Sequence, residues 1–235
     1  MADAYPPEIS SAAELMRGLA EALSRRGHDV TVLTTVPLHK IRGADAANVW
    51  PEVAHEENVL VVRAKTFALH HPSYLLRGLA ILVAPIQMWR ALWRHASGKF
   101  DAVFIYSPPI TLGFVGWLMK RRGAGVLFNV QDIFPQNAVD IGILRNPILI
   151  AFFRAIERFS YRHADVVTAH SVSNSEKLRS AHPEIAEKVV VLHNWIDVER
   201  FLTRRGKDYR KEFGVEGRFV ALFADGASGY SAKTN

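Results

Sequence analysis

Residues 102–106 read Ala-Val-Phe-Ile-Tyr, and residues 126–135 read Val-Leu-Phe-Asn-Val-Gln-Asp-Ile-Phe-Pro. Each opens as a short, continuous apolar run. Such runs fit strands buried on both faces, unlike the strict alternation of a half-exposed strand. The first is stopped by Pro108 and Pro109; the second runs into Gln131 and Asp132. Outward from this pair the pattern repeats. Residues 28–35, 59–62, 166–169, 189–192 and 219–223 read as further strands. Helical stretches lie between them at 12–26, 74–95, 112–120, 147–163 and 173–179. In the first, Leu15, Leu19, Ala22 and Leu23 share one face. Ser11 reads as its N-cap, Glu14 completes a capping box and Gly27 is its C-cap. Pro85 lies inside the second, where a kink or break is expected. Pro147 opens the fourth, a position helices tolerate. Residues 37–57 read as a loop. Strands alternating with helices predict an α/β fold with a parallel sheet covered on both faces.

The chain has 235 residues, of which 49% are hydrophobic and 22% charged, so it can form a buried core. It has no cysteine. That excludes a disulfide framework, a thiol nucleophile and Cys-ligated metal sites. The 29 Lys and Arg exceed the 23 Asp and Glu, for a net charge of +6. Such an excess suits nucleic acid, an anionic membrane face or a phosphate-bearing substrate. No basic run or nucleic-acid motif accompanies it, and the histidines show no metal spacing. His70 and His71 form a loop pair without a predicted role. Dinucleotide and P-loop glycine motifs are absent. No apolar run is long enough to span a bilayer, and residues 1–7 do not resemble a signal peptide. A cytosolic protein able to sit on a membrane is the expectation.

Parallel sheets place ligands at the carboxyl ends of their strands. The polar residues there are Ser107, Gln131, Asp132, His170, Ser171 and Asn194. Asp132 either faces a ligand or caps the next turn. Ser10 and Ser11 either hold a phosphate at a helix start or simply cap it. Asn194 and Asp197 either bind ligand or build a turn. The segment 74–100 sets Trp89 and Trp93 beside Arg90 and Arg94, and Lys120, Arg121 and Arg122 close the next helix. Apolar faces with basic rims mark interfacial helices, though a helix packed on a sheet gives the same pattern. At about 1 kcal/mol per basic residue, such a face would hold an anionic membrane weakly and reversibly.

The order of motifs resembles the family 4 glycosyltransferases, which are retaining enzymes of the GT-B type. The resemblance rests on Tyr5-Pro6-Pro7-Glu8-Ile9, residues 24–34, Ser107-Pro108-Pro109 and Val130-Gln131-Asp132-Ile133-Phe134-Pro135. Glu157-Arg158-Phe159, Tyr161-Arg162, Ala164-Asp165, Asn194-Trp195-Ile196-Asp197 and Arg200-Phe201 complete it. It covers residues 5–224 and is nearest the WbuB-like branch of O-antigen and capsule enzymes. It implies a Rossmann-like, doubly wound domain at 1–217, the N-terminal acceptor-binding half of a GT-B enzyme. Residues 218–235 would begin the donor domain and pass into an aberrant tail. Against the family pattern, most of a first strand is missing ahead of Tyr5, and Ser10 and Ser11 replace two glycines. The chain is therefore expected to be truncated at both ends and inactive alone.

The resemblance also implies roles. Asp132 and Gln131 become the catalytic candidates. Glu8, Ser10, Ser11, Ser107, Ser171 and Asn194 become substrate-binding candidates. Trp89, Arg90, Trp93, Arg94, Lys120, Arg121 and Arg122 become membrane-facing. The implied acceptor is a saccharide linked to polyprenyl diphosphate, and the donor is a nucleotide sugar. No metal or cofactor is expected. The alternative is a non-catalytic membrane- or acceptor-binding remnant.

Overall fold

A computed structural model describes residues 1–37, 41, 49–67, 73–202 and 208–221. The 70–71 histidine pair, the tail from 225 and much of the 37–57 segment lie outside the described residues. The chain divides into two compact units, Met1–Asn194 and Trp195–Asn235.

The first unit is α/β. A four-stranded parallel sheet runs β4 (Ala102–Ser107), β5 (Gly125–Val130), β6 (Val166–Ala169), β7 (Val189–Val191). A three-stranded sheet runs β1 (Val30–Thr35), β3 (Val59–Ala64), β2 (Val53–Glu56). β1 and β3 are parallel, and β2 is antiparallel to β3. The helices are α1 (Ser11–Arg25), α2 (Tyr74–His95), α3 (Leu112–Lys120), α4 (Gln136–Asp140), α5 (Pro147–His163) and α6 (Val172–Ala181). A 3₁₀ helix at Pro183–Lys188 precedes β7. The second unit carries α7 (Val198–Leu202) and α8 (Tyr209–Glu212). Residues 219–221 of the expected last strand carry no strand pairing, and 222–223 lie outside the described residues.

The two sheets meet through the first residues of the chain. The Met1 amine donates to the Phe104 carbonyl at 2.6 Å, and the Tyr106 amide donates back to the Met1 carbonyl at 2.9 Å. The Ala2 amide donates to the Leu33 carbonyl at 3.1 Å, and Thr35 Oγ1 donates to the Asp3 carbonyl at 2.7 Å. Met1–Asp3 thus lie one strand wide between β1 and β4. These residues pair with both edge strands but form no assigned strand of their own.

Successive residues of a strand face opposite sides, and the core divides accordingly. Leu33, Val62 and Ile105 join one cluster, against which Met1 also packs. Val32, Val61, Tyr106 and Ala2 join the other, beneath α1. Alternate residues feed both layers, so the strands read as unbroken apolar runs.

Four expectations change. α1 buries Ala13, Met16 and Ala20, with Leu15 and Leu19 on the flank, so its inner face is rotated from the one expected. Its N-cap is Ser10, whose hydroxyl accepts from the Ala13 amide at 3.1 Å, and Glu14 pairs instead with Arg17. Residues 53–56 form β2 rather than loop, because Glu57 and Asn58 take φ of 48° and 65° and close a tight hairpin. No glycine marks that turn, which hid it. α2 runs unbroken through Pro85.

Gly113 of α3 lies against Ser160 of α5, whose hydroxyl donates to the Ile110 carbonyl at 3.0 Å. An added Cβ would overlap the Ser160 side chain and main chain. Gly113→Ala is expected to lower stability by about 1–3 kcal/mol in urea unfolding. A second prediction concerns Met1. Burial pulls its amine from 8.0 down to about 5, and pushes the Asp3 carboxyl up to about 6. Between pH 6 and 8 the unfolded amine holds a proton that the folded amine does not, so stability rises with pH there. Asp3 opposes this only at lower pH, where its folded form holds the extra proton. Tm measured across that window should rise, and acetylation of the amine should flatten it.

Candidate functional site

Gln131 and Asp132 follow β5 at the carboxyl edge of the parallel sheet. The Gln131 amide donates to the Ser107 carbonyl at 3.0 Å, so β4 fixes the start of the turn. The Gln131 side chain is held from two directions. Its Nε2 donates to Asn129 Oδ1 at 2.7 Å and to Asn194 Oδ1 at 2.9 Å. Asn194 Nδ2 donates back to Gln131 Oε1 at 3.1 Å. Asn129, fully buried in β5, donates to Thr168 Oγ1 of β6 at 2.8 Å. A polar ladder therefore crosses the sheet edge from Thr168 to Asn194. Buried amides need such partners, and this set supplies them.

Two cavities open on the Gln131–Asp132 turn. The first, about 430 Å³, lies between that turn and the loop leading into α1. It is lined by Asp3, Glu8, Ser10, Ser11, Tyr106 and Asp132, among others. Asp132 is exposed and Glu8 is buried. Burial, with the Asp132 and Asp3 charges nearby, pushes the Tyr106 phenol up to about 12, so it stays a neutral donor. Asp3, held near 6 chiefly by desolvation, sits close to the pH at which a carboxyl can both accept and return a proton. Three carboxyls, a phenol and two serines around one cavity can bind and orient hydroxyl groups.

The second cavity, about 850 Å³, lies between the same turn and α4, α5 and α6. Arg154, Arg158, Arg162 and Lys177 line it, but so do Asp132, Asp140, Glu157 and Glu184. Four fixed cations thus face four carboxyls, and the pocket carries no strong net field. Its floor is a buried cluster in which His182 Nε2 lies 3.4 Å from Glu157 Oε1 and the Tyr161 ring packs edge-on to His182. Burial and the neighbouring Glu157 carboxylate hold the Tyr161 phenol well above its usual range.

Of the expected site residues, Glu8, Ser10, Ser11, Gln131 and Asp132 come together around the first cavity. Asn194 reaches the site through Gln131. Ser107 is buried and lines neither cavity. Ser171 caps α6, accepting from the Asn174 amide at 3.2 Å. Sequence reasoning missed Asp3, Tyr106, Asn129 and Thr168. Asn129 carried a signal, because it is the one polar residue inside an otherwise apolar strand. Among the described residues no group of three metal-binding side chains occurs.

On α2, the exposed residues Leu76, Leu79, Ile86, Arg90 and Trp93 follow helical spacing. Trp89 packs on the core, and the Arg122 guanidinium lies 3.8 Å from the centre of the Trp93 ring. Arg121 stands over Trp117, Lys120 pairs with Asp165, and Arg94 lies 3.8 Å from Glu52. No helix among the described residues is long and apolar enough to cross a membrane.

A parallel, helix-covered sheet with polar groups gathered at its carboxyl edge defines a Rossmann-like ligand-binding domain. Residues 12–195 match the glycosyl transferase 4-like domain, and the chain belongs to that family. It is also similar to the protein of Escherichia coli (strain K12) named as a colanic acid biosynthesis glycosyl transferase, WcaI. The two are 22% identical over 203 residues, which cover 84% of this chain and 49% of WcaI. The chain thus spans about half the length of that relative.

The ladder yields a prediction. Gln131→Leu removes the donor to Asn129 Oδ1, and a buried group left without its partner costs about 1–3 kcal/mol. The Asn129→Leu, Thr168→Val pair removes donor and acceptor together and is expected to cost less than Asn129→Leu and Thr168→Val summed. Urea unfolding of the four variants checks both statements.

Proposed function

We propose that this chain is the acceptor-binding half of a glycosyltransferase of bacterial cell-surface polysaccharide synthesis, of the WbuB-like kind. The observation that carries the reading is the grouping of Asp3, Glu8, Ser10, Ser11, Tyr106 and Asp132 around one cavity at the sheet's carboxyl edge, in a chain of this family. The name of the WcaI relative supports polysaccharide synthesis as the setting. The acceptor is a saccharide on polyprenyl diphosphate, at the inner face of the plasma membrane. Its reacting hydroxyl enters the first cavity. The serines and the Tyr106 phenol orient it, and Asp132 accepts its proton as the sugar is transferred. Gln131, fixed by Asn129 and Asn194, holds the turn that presents Asp132. The donor is a nucleotide sugar bound by a second domain, and no metal or cofactor takes part. Residues 1–217 serve the acceptor and residues from 218 lead into the donor side. Trp93, Arg90 and the exposed apolar row of α2 lie against the anionic lipid surface, together with Trp89, Arg94, Lys120, Arg121 and Arg122 at its rim.

The exposed row on α2 favours a second reading, a module that binds the membrane or the lipid-linked acceptor and takes no part in transfer. One experiment separates the two. The purified chain is mixed with a nucleotide sugar and vesicles carrying polyprenyl-diphosphate saccharide, with and without a donor domain from a relative. The chain alone should bind these vesicles better than vesicles lacking the saccharide, and transfer nothing. Adding the donor domain should give transfer, and Asp132→Asn should then cut the rate by about 10²–10⁴-fold without weakening vesicle binding. Equal binding to bare vesicles overturns the acceptor reading. Binding without transfer in any combination leaves the second.

A further inference from the structure

α5 runs alongside α3 in a fixed register. Gly113 lies against Ser160, the Phe114 ring stacks on Phe159 at 4.7 Å between centroids, and the Trp117 ring meets His163 edge-on. α3 begins at Leu112, just past the carboxyl end of β4, but α5 begins at Pro147. At the rise of a helix, the first half of α5 therefore stands roughly 15 Å beyond the start of α3. α4 lies beside it, and Arg154 Nη2 donates to Gln136 Oε1 at 3.1 Å. α4, the turn at 141–146 and this half of α5 form a helical hairpin that projects from the carboxyl edge of the sheet.

The tip of the hairpin is apolar and exposed. Ile141, Ile143 and Ile148 are 71%, 58% and 77% exposed, and Leu149 and Phe152 are exposed beside them. Phe153 turns inward and packs edge-on to Phe134. The main chain of the tip is nonetheless well paired. The Gly142 amide donates to the Val139 carbonyl, and the Ile143 and Leu144 amides donate to the Ala138 carbonyl. The Ile148 and Leu149 amides donate to Asn146 Oδ1. Amides that a helix start leaves orphaned are thus satisfied within the tip, which lowers the cost of taking it out of water. The rim is cationic. Arg145 and Arg154 are exposed, and residues 141–156 include no acidic residue.

From this geometry we propose that the tip of the α4–α5 hairpin inserts into an anionic lipid surface, at the boundary of headgroups and acyl chains. The tip is convex, so a protein partner would need a matching groove, whereas a lipid surface needs none. Interfacial elements enter to a depth of about 5–10 Å, which the hairpin's projection covers. The isoleucines, Leu149 and Phe152 then lie among acyl chains, and Arg145 and Arg154 meet the anionic headgroups. Arg154 and Arg158 also line the cavity of about 850 Å³ that opens on Asp132. Insertion would set that cavity close to the headgroups. This surface is separate from the exposed row of α2, and its role rests on the membrane setting proposed for the chain.

The test uses vesicles of phosphatidylcholine with about a third phosphatidylglycerol and no saccharide, so its failure is distinct from failure of the acceptor reading. The chain has no cysteine, so one introduced thiol can carry an environment-sensitive fluorophore. The label on Ile148→Cys is expected to shift to the blue on these vesicles and to be quenched by nitroxides on the upper acyl chain. The label on Val190→Cys, an exposed control on β7, is expected to do neither. Ile148→Ser with Phe152→Ser should weaken vesicle binding about tenfold or more and leave Tm unchanged, because both side chains are exposed. Vesicle binding with the Ile148 label still in water overturns the proposal and leaves the α2 row as the contact. Absence of binding, or equal binding without phosphatidylglycerol, overturns it too. A blue shift that grows with protein concentration in the absence of vesicles overturns it in favour of a second copy of the chain.

Discussion

The structure depends on four hydrogen bonds made by the first three residues. Two sheets, one of three strands and one of four, have no direct strand pairing with each other among the described residues. Met1 bonds to β4, and Ala2 and Asp3 bond to β1. Backbone groups buried between sheets must be paired, and these residues pair them. The cost falls on the Met1 amine, whose burial pulls it from 8.0 down to about 5.

The same bridge builds the candidate site. Asp3 and the turn that follows carry Glu8, Ser10 and Ser11 to the carboxyl edge of β4 and β5. There they meet Tyr106 and the Gln131–Asp132 turn around one cavity. The polar ladder from Thr168 through Asn129 to Gln131 holds the far wall. Fold and site thus share one origin, since the residues that join the sheets also close the cavity. The Asp3 carboxyl is raised by the burial that makes the bridge possible.

The architecture was legible in the runs at 102–106 and 126–130, because strands that feed two core layers are apolar at every position. Several boundaries matched closely for the same reason; α5 and β6 begin and end where periodicity and Pro147 set them. The hairpin of β2 was not legible, since Glu57 and Asn58 adopt positive φ without a glycine to announce it. The bridge was not legible either. Three residues are too few to show a period, and their partners lie about 30 and 100 positions away. Gln131 and Asp132 were singled out by their place just past β5, whereas Ser107 and Ser171, chosen the same way, line neither cavity. Tyr106 was hidden as one more core residue. Asn129 broke the apolar pattern and was the signal left unused.

The most direct measurement of the bridge is native-state hydrogen exchange of the Tyr106 amide, which donates to the Met1 carbonyl at 2.9 Å. If Met1–Asp3 hold the sheets together, this amide exchanges only with global unfolding, at the same free energy as the amides between β4 and β5. Exchange at the rate of an open edge strand, while the β4–β5 amides stay protected, would contradict the account.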